Sequence, residues 1–284
     1  MNFLVLGATG MAGHMITFYL REKGHHVTTY SRTPFSSNKG ITGDITDATF
    51  LQQLIVDDYD VIINCIGVLN EACDQNPHHA IYLNSYLPHA IVHLLKDTDT
   101  KLIHLSTDCV FSGKSAPYNE KSKHDGETFY DRTKSLGEVD CGKHLTLRNS
   151  IIGPDMKENG IGLLNWFMKQ SGTIHGYTGA IWNGVTTLTL AKAIEQAATT
   201  NLTGLYHLVH PNSVNKYDLL HLFNKHLKAN ELSILPSSNV QLNKTLINTR
   251  HDFSFIVPNY EEMIVEMRDW MHTHQNLYSH YFKH

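Results

Sequence analysis

Phe3-Leu4-Val5-Leu6-Gly7-Ala8-Thr9-Gly10-Met11-Ala12-Gly13 is the stretch that decides the fold. Four apolar residues run into Gly7, and glycine returns at positions 10 and 13. From Met11 onward, Met11, Met15 and Tyr19 recur every four residues, as on one face of a helix. A short strand therefore turns through three glycines into an amphipathic helix. Glycine there permits positive φ, lets the backbone approach a phosphate, and lets helix and strand pack closely. The start of the helix adds free N–H groups and the positive end of its dipole. The spacing is G-x-x-G-x-x-G, not the commoner G-x-G-x-x-G, but its place between strand and helix predicts a dinucleotide site. Gly7, Thr9, Gly10, Met11 and Gly13 are its expected phosphate cradle.

Outward from this turn, strand-like and helix-like segments alternate. Gly24 closes the first helix, and His26–Tyr30 reads as a second strand. Lys39–Thr42 is a weak third strand, followed by a helix capped at Thr46 or Asp47. Asp60–Cys65 is a continuous apolar strand of the kind covered on both faces. A long helix is expected over Pro77–Leu95, kinked at Pro88. Leu102–Leu105 and Leu145–Arg148 read as strands, with a helix over Glu127–Cys141 between them. The pattern predicts an α/β fold, a Rossmann-type doubly wound parallel sheet. After about residue 150 the alternation loosens. Thr189–Ala198, Lys216–Leu227 and Tyr260–His272 read as helices and Leu205–Val209 as a strand. The expected division is a cofactor domain over 1–150 and a smaller, mainly substrate-binding domain over 151–284. Segments near 180–203 and 240–257 are expected to return to the first.

At 284 residues the chain can bury a substantial core without disulfides or metals. Its 23 basic and 27 acidic residues leave a net charge of −4, which argues against a nucleic-acid footprint. No run approaches the ~18 apolar residues of a membrane span, and the start lacks the basic leader of a signal peptide. A cytoplasmic protein is expected. The four cysteines, Cys65, Cys73, Cys109 and Cys141, form no C-x-x-C pair and read as reduced, mostly buried thiols. The 20 histidines invite a metal, but they are scattered and show no ligand spacing, so no metal site is expected. They read as exposed polar side chains that make net charge sensitive to pH.

The end of the second strand bears on the choice of dinucleotide. An NAD site usually offers an acid there, whereas this chain has Thr29-Tyr30-Ser31-Arg32. Arg32 can pair with a 2′-phosphate and Ser31 can donate to it. NADP(H) is favoured, with NAD(H) as the alternative. Further on, Tyr130 and Lys134 stand four apart on one helix face. A nearby ammonium would lower the tyrosine pKa towards the working pH, so that Tyr130 could protonate a carbonyl oxygen as hydride arrives. The strand before it ends in Ser106 and Thr107, and strand carboxyl ends are where open α/β sheets place ligands. Thr107 can orient a substrate oxygen.

With these motifs in order, and with Leu147-Arg148-Asn149-Ser150 after them, the chain resembles the extended short-chain dehydrogenase/reductase family. Ser106-Thr107-Asp108-Cys109-Val110-Phe111-Ser112-Gly113, and Asn84 with Leu87-Pro88-His89, look most like its dTDP-4-dehydrorhamnose reductase branch. The resemblance covers residues 1–150 and continues more weakly to about 250. It implies Tyr130 as general acid, Lys134 as its partner and ribose anchor, and Thr107 as carbonyl orienter. It also implies Asp44 and Ile45 near the adenine, and Asn64, Cys65, Ile66 and Gly67 along the cofactor. Ser150 and Ile151 would lie near the nicotinamide, with Ser106, Asp108, Cys109, Asn149 and Ser150 about the substrate. The implied activity is reduction of the 4-keto group of a nucleotide-linked deoxysugar for surface polysaccharide. The alternatives are an epimerase of the family, or a non-catalytic subunit like the regulatory one of methionine adenosyltransferase. The assembly state stays open, a homodimer included.

The chain departs from the branch in places. Cys109 stands where tyrosine is usual, Ile151-Ile152-Gly153 where tryptophan often follows the strand, and Gly179–Val185 where a Pro-Thr segment is usual. Sugar-nucleotide dehydratases carry Asp then Glu after the threonine, so Cys109 argues against dehydration. Trp182, and less so Trp166, could stack on a base from a loop of the smaller domain.

Overall fold

The computed structural model describes residues 1–35 and 40–282. The chain begins β1 (Asn2–Leu6), α1 (Met11–Glu22), β2 (His26–Tyr30), β3 (Gly40–Ile41), α2 (Ala48–Ile55) and β4 (Val61–Asn64). Next come the short α3 (Glu71–Gln75) and α4 (Pro77–Ala80), a π-helical turn (Ile81–Tyr86), α5 (Leu87–Leu94), β5 (Lys101–Thr107), α6 (Phe129–Leu136) and β6 (Leu145–Asn149). The second half adds β7 (Ile151–Ile152), α7 (Leu163–Met168), β8 (Thr173–Trp182), β9 (Val185–Thr186), α8 (Thr187–Ala198), β10 (Gly204–His207), β11 (Val214–Asn215), α9 (Lys216–Leu227), β12 (Ser233–Asn243) and α10 (Tyr260–Thr273).

Seven parallel strands form the main sheet in the order β10-β6-β5-β4-β1-β2-β3. The strand order reverses beside β1, which is where a doubly wound sheet opens a ligand crevice. Alternation sorts the side chains of each strand to two cores. Val5, Ile63, Ile103 and Leu147 face α1 and α8, while Leu6, Ile62 and Leu102 face α2 and α5. A second, three-stranded sheet, β11-β8-β12, carries α9 against β8.

Local chemistry explains where elements end. Asp47 accepts from Phe50 N and starts α2. The stretch expected as one helix is divided: α4 gives way to a π-helical turn over Ile81–Tyr86, and Pro88 sits in the first turn of α5. Helix α6 is shorter than Glu127–Cys141. A Thr128–Asp131 capping box starts it, and Gly137 stops it against the backbone of Asn84. Strands β8 and β12 lie in stretches that show no clear strand signal. β8 is half-exposed and β12 is polar with a register shift between Ser237 and Gln241. The expected third strand is confined to Gly40–Ile41, and Lys39 lies outside the described residues.

The histidines correct the surface reading. His14, His104, His144, His207 and His210 are buried. His14 donates from Nδ1 to Gly10 O and accepts at Nε2 from Tyr278 OH, tying α1 to the C-terminal segment. Burial holds His14 and His104 below the usual histidine range and pushes His144 and His207 down to about 4. These rings stay neutral near pH 6, so the chain gains less positive charge on acidification than twenty free imidazoles would give. The cysteines are also less uniform than expected: Cys73 is buried, Cys65 and Cys109 partly, and Cys141 is exposed.

Candidate active site

The geometry of the turn between β1 and α1 explains its glycines. Gly7 has φ +81°, and a Cβ on Gly13 would lie 2.8 Å from Gly7 C, with Gly7 O closer still. Only glycine lets α1 start this near the end of β1. Helices α2, α6, α8, α9 and α10 each start under a side-chain cap. Helix α1 starts on Gly10 with no side-chain cap and no acid in its first turn. Its first N–H groups are therefore not satisfied by a side-chain cap.

A cavity of about 640 Å³ opens from this turn. Gly7, Thr9, Gly10, Ser31, Arg32, Asp44, Ile45, Cys65, Ile66 and Gly67 all line it. Met11, Gly13, Tyr130 and Lys134 do not, although Cys65 in its wall lies within electrostatic reach of Lys134. The volume is in the range of small-molecule and cofactor sites. Arg32 is exposed and has no ion-pair partner among the described residues. Ser31 differs from expectation: its hydroxyl donates to Thr33 O at 2.6 Å and is not free to donate to a ligand. Asp44 accepts from Thr46 N and Oγ1, which hold its carboxyl below the usual range. The cavity also takes in residues that no motif announces, among them Gln75, Asn76 and His79 from α3 and α4, and Lys157 and Ile161 from the loop after β7.

Beyond the far wall lie the groups with proton chemistry. Thr107 ends β5 and accepts from Cys109 N at 3.1 Å, fixing a tight turn over Asp108–Val110. The Tyr130 phenol lies against the Thr107 hydroxyl. Lys134, one turn along α6, is buried and donates to Leu105 O at 2.7 Å. Burial pushes Lys134 down to about 8. Tyr130 is raised above the ordinary phenol range, mainly by burial and then by Cys109. The expectation that the ammonium lowers the tyrosine pKa is therefore not met here, because desolvation dominates. The phenol is held protonated, which is the form that can give a proton to an oxygen. Cys109, beside it, is pushed up to about 12 by burial and stays a neutral thiol.

Asn84, from the π-helical turn, joins the cavity wall to this helix. It donates to Val68 O and Thr133 Oγ1 and accepts from Val68 N. Ser106 points the other way from Thr107, as alternation on a strand requires. Its hydroxyl donates to Glu138 at 2.5 Å instead of facing a substrate. Glu138 is paired with the fully buried Arg148, which forks onto both carboxylate oxygens. Burial pushes Glu138 up, but Arg148, His124 and Ser106 outweigh it and hold the carboxyl at about 2. His124 also lies 2.5 Å from Ser135 Oγ on α6, so the pair braces the helix that carries Tyr130 and Lys134.

The remaining substrate residues divide. Asn149 pairs in register with Thr107, is buried, and leaves its amide nitrogen without a partner among the described residues. Asp108 is raised by burial, and Ser150 hydrogen-bonds it. Trp182 is corrected: it ends β8, not a loop, and is only 5% exposed. Lys216 Nζ lies 4.8 Å from its ring and Tyr260 packs beside it at 5.7 Å, so no face remains for a base. Trp166 is exposed on α7. Two lysines escape sequence reasoning. Lys216 and Lys244 both act on Asp108 electrostatically, from the start of α9 and just past β12. Lys216 is pushed down to about 8 by burial, against the pull of Asp108. The only sequence signal for Lys216 is its place at the start of a helix. Among the described residues no group of three or more His, Cys, Asp or Glu could hold a metal, and no helix is long and apolar enough to cross a membrane.

Residues 1–275 match the family described as the RmlD substrate binding domain. A probable low-salt glycan biosynthesis reductase, Agl14, of Haloferax volcanii is 33% identical over 144 residues, 49% of this chain and 48% of that protein. The chain thus aligns with about half the length of that relative. A dTDP-4-dehydrorhamnose reductase of Salmonella typhimurium is 27% identical over 307 residues, 96% of this chain and 99% of that one. Among solved structures, a Bacillus anthracis dTDP-4-dehydrorhamnose reductase in complex with NADP superposes with a TM-score of 0.77 at 19% identity, over 94% of this chain and 98% of that one. At that identity the likeness shows the fold.

Proposed function

The chain belongs to the RmlD substrate-binding-domain family, and from that premise we propose that it is an NADPH-dependent reductase of the 4-keto group of a nucleotide-linked deoxysugar. The observation that carries this reading is the Tyr130 phenol against the Thr107 hydroxyl, with Lys134 one turn away on the same helix. Gly7, Gly10 and the open start of α1 would hold the diphosphate of the dinucleotide, and Arg32 the 2′-phosphate. Bound there, the dinucleotide supplies hydride. Thr107, once its hydroxyl turns from Asp108 Oδ1, to which it donates at 3.1 Å, orients the ketone oxygen, and Tyr130 passes its proton to it, leaving an alcohol. Lys134, positive below about pH 8, stabilises the phenolate left behind. Lys216 and Lys244 supply positive charge for the diphosphate of a sugar nucleotide. The neutral Cys109 thiol cannot serve as the base that a dehydratase needs at that place. A part in glycan precursor synthesis agrees with the role named for the Haloferax relative.

The test is spectrophotometric. Enzyme, NADPH and a dTDP- or UDP-linked 4-keto-6-deoxy sugar should consume one NADPH per sugar reduced. The reading fails if no keto-sugar nucleotide is turned over while the dinucleotide still binds.

A further inference from the structure

One wall of the dinucleotide cavity belongs to neither the glycine turn nor the sheet. It is the loop Gly153-Pro154-Asp155-Met156-Lys157-Glu158-Asn159-Gly160-Ile161-Gly162, between β7 and α7. This loop is built, not slack. Asp155 Oδ1 accepts from Lys157 N at 2.8 Å, and Gly160 N donates to Lys157 O at 3.0 Å. The buried Asn165 side chain donates to both Glu158 O and Gly160 O. Tyr281, from the C-terminal segment, accepts from Asp155 N at 3.0 Å. The loop is thereby clipped to α7 on one side and to the chain end on the other.

What it presents to the cavity is one cation and one apolar side chain. Lys157 is exposed, lines the cavity, and has no hydrogen-bond or ion-pair partner for its ammonium among the described residues. Ile161 lines the same cavity with 73% of its surface exposed. Such exposure is costly for isoleucine unless something covers it. The loop also meets the glycine turn: the space a Cβ of Gly162 would fill ends 3.1 Å away at Met11 Sδ. Met11 is the first residue of α1, so the loop meets the helix start, where the diphosphate is expected.

We propose that loop 153–162 is a strap across the bound dinucleotide, on which Lys157 pairs with the diphosphate bridge and Ile161 covers its apolar side. The inference rests on the dinucleotide reading and adds to it a cation that the glycine motif lacks. The glycine turn offers backbone N–H groups and the Thr9 hydroxyl, but no positive side chain, to two negative charges. Lys157 supplies a full positive charge from the opposite wall, where the bound ligand itself would exclude water and strengthen the pairing.

The experiment is a fluorescence titration of NADPH and NADH binding to the full chain, for the unaltered protein, Lys157→Met and Lys157→Arg, with melting temperature as the folding control. Lys157→Met should weaken both dinucleotides by the same factor, roughly tenfold, as expected for one partly solvated charge-assisted contact. Lys157→Arg should keep most of the affinity, and the difference should shrink at high salt. 2′-AMP, which lacks the diphosphate, should bind unaltered protein and Lys157→Met alike. The proposal is overturned if Lys157→Met binds both dinucleotides as tightly as the unaltered protein, or if only NADPH is weakened, which would assign the lysine to the 2′-phosphate. Should the unaltered protein bind neither dinucleotide, the underlying reading falls and the strap with it.

Discussion

Replacing Gly137 with alanine should damage catalysis from outside the site. Gly137 caps α6 and sits against the π-helical turn, and a Cβ there would lie 2.9 Å from Asn84 C and 3.3 Å from Ser85 Cα, with Asn84 O closer still. Unbonded carbons rest at about 3.5–4.0 Å, so the Asn84 carbonyl carbon alone demands a separation of roughly 0.6 Å, and the closer carbonyl oxygen demands more. Neither has slack. Asn84 Nδ2 donates to Thr133 Oγ1 at 3.1 Å, and Ser85 Oγ donates to Thr133 O at 2.8 Å. The displacement therefore passes along α6 to Tyr130 and Lys134. Overpacking of this kind costs about 1–3 kcal/mol of stability. A misplacement near 1 Å at reacting groups costs about 10²-fold, so a fall of roughly 10- to 100-fold in kcat is expected. The change in NADPH affinity should be smaller, because the glycine turn and Arg32 lie elsewhere. Steady-state kinetics, NADPH titration and a thermal melt read all three quantities. A Gly137→Ala protein with unaltered kcat and melting temperature would refute the claim that this contact positions the tyrosine helix.

Removing the Arg32 charge (Arg32→Ala) should cost about tenfold in NADPH affinity, the value of one charge-assisted contact, while sparing NADH. Equal losses for both would show that Arg32 does not select the 2′-phosphate. Acid stability follows from His144, whose Nδ1 accepts from Leu102 N and which burial, with Lys143 and Lys101 nearby, pushes down to about 4. Unfolded histidine titrates near 6.5, so between that value and about 4 the unfolded chain binds the extra proton and stability falls as pH falls. His144 alone should contribute about 1.4 kcal/mol per pH unit across that window. Urea melts from pH 7 to 4.5 should show His144→Asn with a slope shallower by that amount, and equal slopes would contradict it.

Much of this was legible in the sequence because the deciding signals are local. Three glycines between strand and helix, a hydroxyl at a strand end and a tyrosine–lysine pair one turn apart each rest on backbone geometry. The errors share a different cause. Ser106 adjoins Thr107 in sequence, but neighbours on a strand face opposite ways, and only Glu138, 32 residues on, reveals which way Ser106 points. The histidines looked like surface because their partners are remote: His14 bonds Tyr278, 264 residues away. Gly137 shortens α6 for the sake of Asn84, which no period in α6 records. Lys216 and Lys244 belong to no motif, and only the fold brings them to Asp108.

The central claim is that Tyr130 protonates the ketone oxygen as hydride is delivered. Single-turnover oxidation of bound NADPH by a 4-keto-6-deoxy sugar nucleotide tests it most directly, with unaltered protein set against Tyr130→Phe. Loss of a general acid should slow that step by about 10²–10⁴-fold, with NADPH affinity little changed. An equal single-turnover rate in the two proteins would contradict the account.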